Sequence, residues 1–140
     1  MDRLIVASGG NLRDLFALVL DAGEGVETAA TVIGPEDATW AINKMRMDYR
    51  RRLGQSPFDV QIPYSDKAKR LLAVYRRDPE HDIADAVLYS LLRGRALQEF
   101  NGEGWLGVHP LVVDILNQQS ISSRKILVEP NKWNQGPFRE

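Results

Sequence analysis

The residue best placed to do chemistry is Arg13, within the stretch Ser8-Gly9-Gly10-Asn11-Leu12-Arg13-Asp14. Asn11 is a helix-capping type and Asp14 follows three residues on, a variant of the capping box. A helix therefore opens at Leu12, with Arg13 in its first turn. A cation there is repelled by the partial positive charge of the helix N-terminus, at a cost of roughly 0.3–1 kcal/mol. An anion brought opposite it removes that penalty, and a guanidinium holds phosphate through paired N–H donors. Gly9 and Gly10, just ahead of the helix, free the backbone to turn. The plain alternative is a surface arginine paired with Asp14, Asp21 or Glu24.

Little else in the chain carries chemistry. There is no cysteine, which excludes a disulfide framework, a thiolate zinc site and a cysteine nucleophile and fits a reducing cytoplasm. His81 and His109 are far apart and form no metal-ligand pair at helical spacing, so no metal site is expected. Glu99, Glu103 and His109 lie near one another, but without a spacing that marks an acid and a base, and no nucleophile has an adjacent base. The glycines do not fit a dinucleotide fingerprint, and a G-x-x-x-x-G-K-[ST] phosphate loop is absent from the sequence. The longest apolar run, Leu15 to Leu20, is too short for a membrane span or a signal peptide, so no membrane association is expected.

The elements that must position Arg13 read as mainly α. With 140 residues, 44% apolar and 26% charged, the chain suits one domain or two small helical modules sharing a core. The helix opening at Leu12 is expected to bury Leu12, Leu15, Phe16 and Val19 and to end at Gly23-Glu24-Gly25. A second helix runs from Pro35 to Gly54 and turns Ala38, Ala41, Ile42, Met45, Tyr49 and Leu53 to one side. Pro57, Pro63 and the extended Phe58–Ile62 mark a connector with a short edge strand. A third helix, capped by Ser65 or Asp66, buries Ala68, Leu71, Leu72 and Tyr75 and stops before Pro79. A fourth starts at Asp82, turns Ile83, Ala84, Val87, Leu88, Leu91 and Leu92 inward, exposes Ala86, Tyr89 and Ser90, and stops at Gly94. Asn101-Gly102 between Ala96–Phe100 and Trp105–His109 is a strong hairpin signal. Pro110 opens a last helix with Val112, Ile115, Leu116 and Gln119 on successive turns. Lys125–Glu129 reads as a short strand, and Trp133 and Phe138 in the tail are candidates to dock on the body.

Charge is unevenly laid out. Trp40 to Arg77 carries a net +7 and the remainder −8. Such a segment meets nucleic acid, or the acidic remainder of its own chain. Trp40, Lys44, Met47 and Arg51 share one helix face opposite the core side, a half-apolar, half-basic stripe that reads as an interface.

The order of parts resembles the C-terminal half of bacterial P-loop ATPases of the AAA+ and STAND kind, a helical lid followed by a winged helix. Ser8-Gly9-Gly10-Asn11-Leu12-Arg13-Asp14-Leu15 resembles the sensor 2 motif opening the lid helix. Trp105-Leu106-Gly107-Val108-His109-Pro110-Leu111 resembles the second wing strand and the helix after it. The resemblance implies a lid over 1–56, a winged-helix-like module over 57–119 and an extension over 120–140. It implies that Arg13, with Gly9 and Gly10, senses the phosphates of ATP, held with magnesium by a separate ATPase domain. Walker A and Walker B are absent from this sequence, so the chain is expected to hold no cofactor itself and not to hydrolyse ATP.

Three roles follow as expectations. In the first, the chain senses nucleotide state and relays it, docking on its ATPase domain through Trp40, Lys44, Met47 and Arg51. In the second, the winged helix binds DNA through Arg93 and Arg95. Asp82 and Asp85 on the recognition helix and Glu103 at the wing tip oppose this role. In the third, the winged helix docks another protein.

Overall fold

The computed structural model describes residues 1–24, 26, 32–54, 61–100 and 105–122, with the side chains of 120–122 left aside. Among these, six helices and one hairpin follow in the order α1 (Asp2–Ser8), α2 (Leu12–Glu24), α3 (Pro35–Gly54), α4 (Tyr64–Arg76), α5 (Ala86–Arg93), β1 (Leu97–Phe100), β2 (Trp105–Val108) and α6 (Pro110–Ser122). The protein is mainly α with one antiparallel hairpin, as the sequence predicts. The strands pair Leu97 with Val108 and Phe100 with Trp105, so Leu97 and Leu106 face the core while Phe100 and Trp105 face out. The hairpin tip, the expected strand in Phe58–Ile62 up to Val60, the Lys125–Glu129 strand, Trp133 and Phe138 lie outside the described residues.

α3 is the spine. Its buried residues are Ala38, Ala41, Ile42, Met45, Tyr49 and Leu53, the side its periodicity predicts. α2 packs along it, and α6 and α4 meet it further on, so one apolar core runs from Leu4 in α1 to Leu116 in α6. Lys67 is buried where α4 meets the end of α3 and donates to the Leu53 carbonyl at 3.4 Å. A cation suits that place, because a helix C-terminus carries partial negative charge and unpaired carbonyls.

The structure corrects three local readings. α2 turns in Asp14, Leu18 and Ala22, while Leu12, Phe16 and Leu20 are exposed. α5 begins at Ala86 rather than Asp82, because Asp85 is the residue that caps it: its carboxylate accepts from Leu88 N at 2.9 Å. Arg70 in α4 fixes that carboxylate with contacts of 3.1 and 2.6 Å. Ile83 and Ala84 are consequently exposed and Ser90 is buried. Similarly, α4 begins at Tyr64 after Pro63, so Ser65 and Asp66 lie inside its first turn rather than capping it, and it buries Leu71 and Val74 beside Lys67.

The Ser8–Asn11 turn joins α1 to α2 and is fully stitched. Gly9 N donates to Val6 O, Asn11 N to Ser8 O, and Gly10 N to the Ser8 hydroxyl, which itself donates to Ile5 O. Gly9 has φ 62° and Gly10 φ 82°. A Cβ on Gly9 would stand 2.6 Å from Pro110 Cδ, whereas one on Gly10 would meet nothing within 4 Å. Gly9 is thus required for close approach of the turn to the start of α6. Gly9→Ala is expected to destabilise by roughly 2–5 kcal/mol, from left-handed strain plus overlap, and Gly10→Ala by about 1–2 kcal/mol from strain alone. Urea denaturation of the two variants measures the difference; equal losses would contradict the wedge against Pro110.

Candidate functional site

Asn11 caps α2 as the sequence predicts, its Oδ1 accepting from Asp14 N at 3.3 Å. The Asp14 side chain does not complete a capping box. It turns inward and is 2% exposed. Tyr49 of α3 donates its hydroxyl to Asp14 Oδ2, and His109 Nε2 reaches the same oxygen at 2.9 Å. Arg95, between α5 and β1, stands with Nη1 3.6 Å from Asp14 Oδ1. The rings of Tyr49 and His109 lie 4.3 Å apart, tilted by 31°.

The histidine tautomer follows from its second nitrogen. Leu111 N donates to His109 Nδ1 at 3.2 Å, so Nδ1 carries no proton and Nε2–H points at Asp14. His109 therefore caps the first turn of α6 and holds the first turn of α2 with one ring. Burial by itself raises the Asp14 pKa. The hydrogen bonds from His109 and Tyr49 and the charge of Arg95 outweigh it, and the carboxyl ends below its ordinary value. Tyr49 is pushed well above the usual phenol range, first by burial and then by its bond to Asp14.

With Asp14 committed to the core, Arg13 is left outward. It is exposed, and no hydrogen bond or ion pair joins it to another described residue. Asp21 is taken by Lys44 at 2.8 Å. On the same helix Leu12, Phe16 and Leu20, spaced four residues apart, are exposed, and so are Ile5 and Val6 on α1. Two of these five, Leu12 and Phe16, are residues that periodicity assigns to the core.

The other candidate residues are spread over the molecule. On α3, Trp40 and Met47 are exposed, but the cations beside them are engaged within the chain. Lys44 bridges to Asp21 and lies 5.2 Å above the Trp40 ring, and Arg51 stands 3.7 Å from Asp48. Elsewhere in the basic segment, Arg46 pairs with Asp114 and Arg70 with Asp85, so much of it neutralises acidic groups of its own chain. Arg93 is exposed at the end of α5, while Arg95 is turned to Asp14. Among the described residues no group of three or more His, Cys, Asp and Glu side chains could hold a metal ion, and no helix is long and apolar enough to cross a membrane. Comparison with protein-family models, with curated proteins and with solved structures finds no match to this chain.

The Asp14 pKa sets an acid dependence with a definite sign. A carboxyl lowered on folding contributes stability above its unfolded pKa, and that contribution is lost as pH falls through the folded value. Wild-type stability is therefore expected to drop as pH falls below about 4, near the unfolded carboxyl value, and Asp14→Asn to show a shallower drop from a lower starting point. At the other end, Tyr49, raised on folding, contributes stability that falls away as pH rises past about 10; Tyr49→Phe is expected to flatten that limb. Urea midpoints from pH 3 to 11 measure both, and parallel curves for variants and wild type would contradict the assignment.

Proposed function

We propose that this chain is the non-catalytic helical lid and winged-helix region that serves a P-loop ATPase, sensing its nucleotide state through Arg13 and relaying it to a partner. The observation that carries the reading is Arg13 itself. It is an exposed cation in the first turn of a helix, without a partner among the described residues, on a helix whose Leu12, Phe16 and Leu20 are exposed too, as are Ile5 and Val6 on α1. Exposure of that kind fits a docked domain that brings an anion to the arginine. ATP with magnesium would be held by that domain, and Gly9 and Gly10 shape the turn that presents Arg13. On α3, Trp40 and Met47 are exposed as well, with Lys44 and Arg51 on the same helix face as a second contact for the docked domain.

The hairpin and α4–α5 supply the winged-helix half of the reading. A DNA-binding role is disfavoured by Arg95, whose charge is spent on Asp14, and by Asp85 at the start of α5. A protein partner suits the exposed Tyr89, Phe100 and Trp105 better.

Two measurements test this reading. The coding sequence upstream of Met1 is expected to encode a GK[ST] loop in the same frame or in an adjoining gene; its absence from both counts against the proposal. In the protein that unites this region with its ATPase domain, Arg13→Ala is expected to weaken ATP binding by about tenfold or more, the equivalent of a charge-assisted hydrogen bond of roughly 1.5–3 kcal/mol. Unchanged affinity and turnover would remove the sensor role. For the DNA alternative, duplex titration at about 50 mM salt is expected to give no measurable binding, and tight binding that falls steeply with added salt would reinstate it.

A further inference from the structure

Arg95 is held in an unusual way. It is a non-glycine residue at φ 62°, between α5 and β1. A left-handed backbone costs an ordinary residue roughly 1–2 kcal/mol, so surrounding contacts must hold it there. Its N–H donates to Leu92 O at 3.1 Å, and the next carbonyl, that of Ala96, accepts from His109 N at 2.9 Å. Its Nη1 is shielded from solvent and has no hydrogen-bond partner among the described residues, standing 3.6 Å from Asp14 Oδ1. An N–H···O⁻ bond normally forms at about 2.7–2.9 Å. The guanidinium thus stops just short of the contact that would satisfy it.

The two oxygens of Asp14 are held unequally. Oδ2 takes the Tyr49 hydroxyl and His109 Nε2–H, while Oδ1 faces the unpartnered Arg95 Nη1. Oδ1 is therefore the oxygen with room to close on Arg95, at 3.6 Å, while Oδ2 is already held by two donors. The backbone that carries Asp14 is the first turn of α2, where Arg13 is the preceding residue.

We infer that Asp14 and Arg95 are positioning residues that couple Arg13 to the base of the hairpin, with the Arg95–Asp14 contact as the adjustable member. This rests on the reading of Arg13 as the group that meets phosphate. An anion at Arg13 shifts the first turn of α2, the carboxylate turns toward Arg95, and the contact closes. Arg95 leads directly into β1, and Ala96 is bonded to His109, so the change reaches the hairpin and the first turn of α6 together. A sub-ångström displacement is enough, because the close-packed core around Asp14 responds by exchanging contacts rather than by stretching.

The test is a titration of the isotope-labelled full chain with inorganic tripolyphosphate, following the Arg13 and Arg95 Nε–H and the His109 Nε2–H resonances. In wild type, all three are expected to shift with one midpoint, and Arg13→Gln to abolish the shared response. Arg95→Met leaves the two Oδ2 bonds in place; it is expected to keep the Arg13 shift and lose the His109 shift, and Arg95→Lys to restore part of the latter. Asp14→Asn is expected to keep the Arg13 shift and lose both others. If Arg13 shifts while Arg95 and His109 stay still in wild type, or if His109 shifts as far in Arg95→Met, the coupling is overturned and the phosphate reading survives. If Arg13 does not shift, the coupling is overturned for this chain, and the phosphate reading is decided separately by Arg13→Ala in the protein that carries the ATPase domain.

Discussion

One buried carboxylate organises this molecule. Asp14 sits in the core with donors from Tyr49 of α3 and from His109, just ahead of α6, and with the Arg95 guanidinium beside it. An isolated charge in that place would be untenable, since burying an ionised group without partners costs several kcal/mol and more. Each partner in turn depends on the carboxylate. Tyr49 and His109 are almost fully buried, and each would be left with an unsatisfied donor without it. The arrangement fixes the register of α2 against α3 and the entry of α6 at the same time. It also decides which way Arg13 points: with residue 14 turned in, residue 13 is turned out.

The same logic explains the charge pattern. The basic segment from Trp40 to Arg77 and the acidic remainder are separated in sequence and interleaved in space, through Lys44–Asp21, Arg46–Asp114 and Arg70–Asp85. Exposed pairs of this kind add little stability each. Their effect is to offset three of the seven net positive charges that the basic segment would otherwise offer to nucleic acid. Arg13 stands out because its acidic neighbours Asp14 and Asp21 are committed elsewhere.

Much of the fold was legible. The limits and buried side of α3, the hairpin and the start of α6 at Pro110 follow from Pro35, Asn101-Gly102 and apolar spacing. The buried side of α2 was not, because Leu12, Leu15, Phe16, Leu18, Val19 and Leu20 clothe nearly the whole helix and periodicity cannot choose among its sides. What chooses is Asp14, and its partners stand 35 and 95 residues away. The start of α5 was missed for a related reason. Asp82 and Asp85 are both competent caps, and Arg70 on α4 selects the second. Of the candidate site, Arg13 was legible as a cation in the wrong part of a helix, but the exposure of Leu12, Phe16 and Leu20 on the same helix follows only from Asp14 turning inward.

The account stands or falls on the carboxylate's bonds being worth stability in the folded protein. A double-mutant cycle of Asp14→Ala and Tyr49→Phe, measured by urea denaturation at neutral pH, tests this most directly. The account predicts a coupling of about 1 kcal/mol or more, with the Tyr49 hydroxyl contributing only when the carboxylate is present. Additive losses, with coupling within about 0.3 kcal/mol of zero, would contradict it.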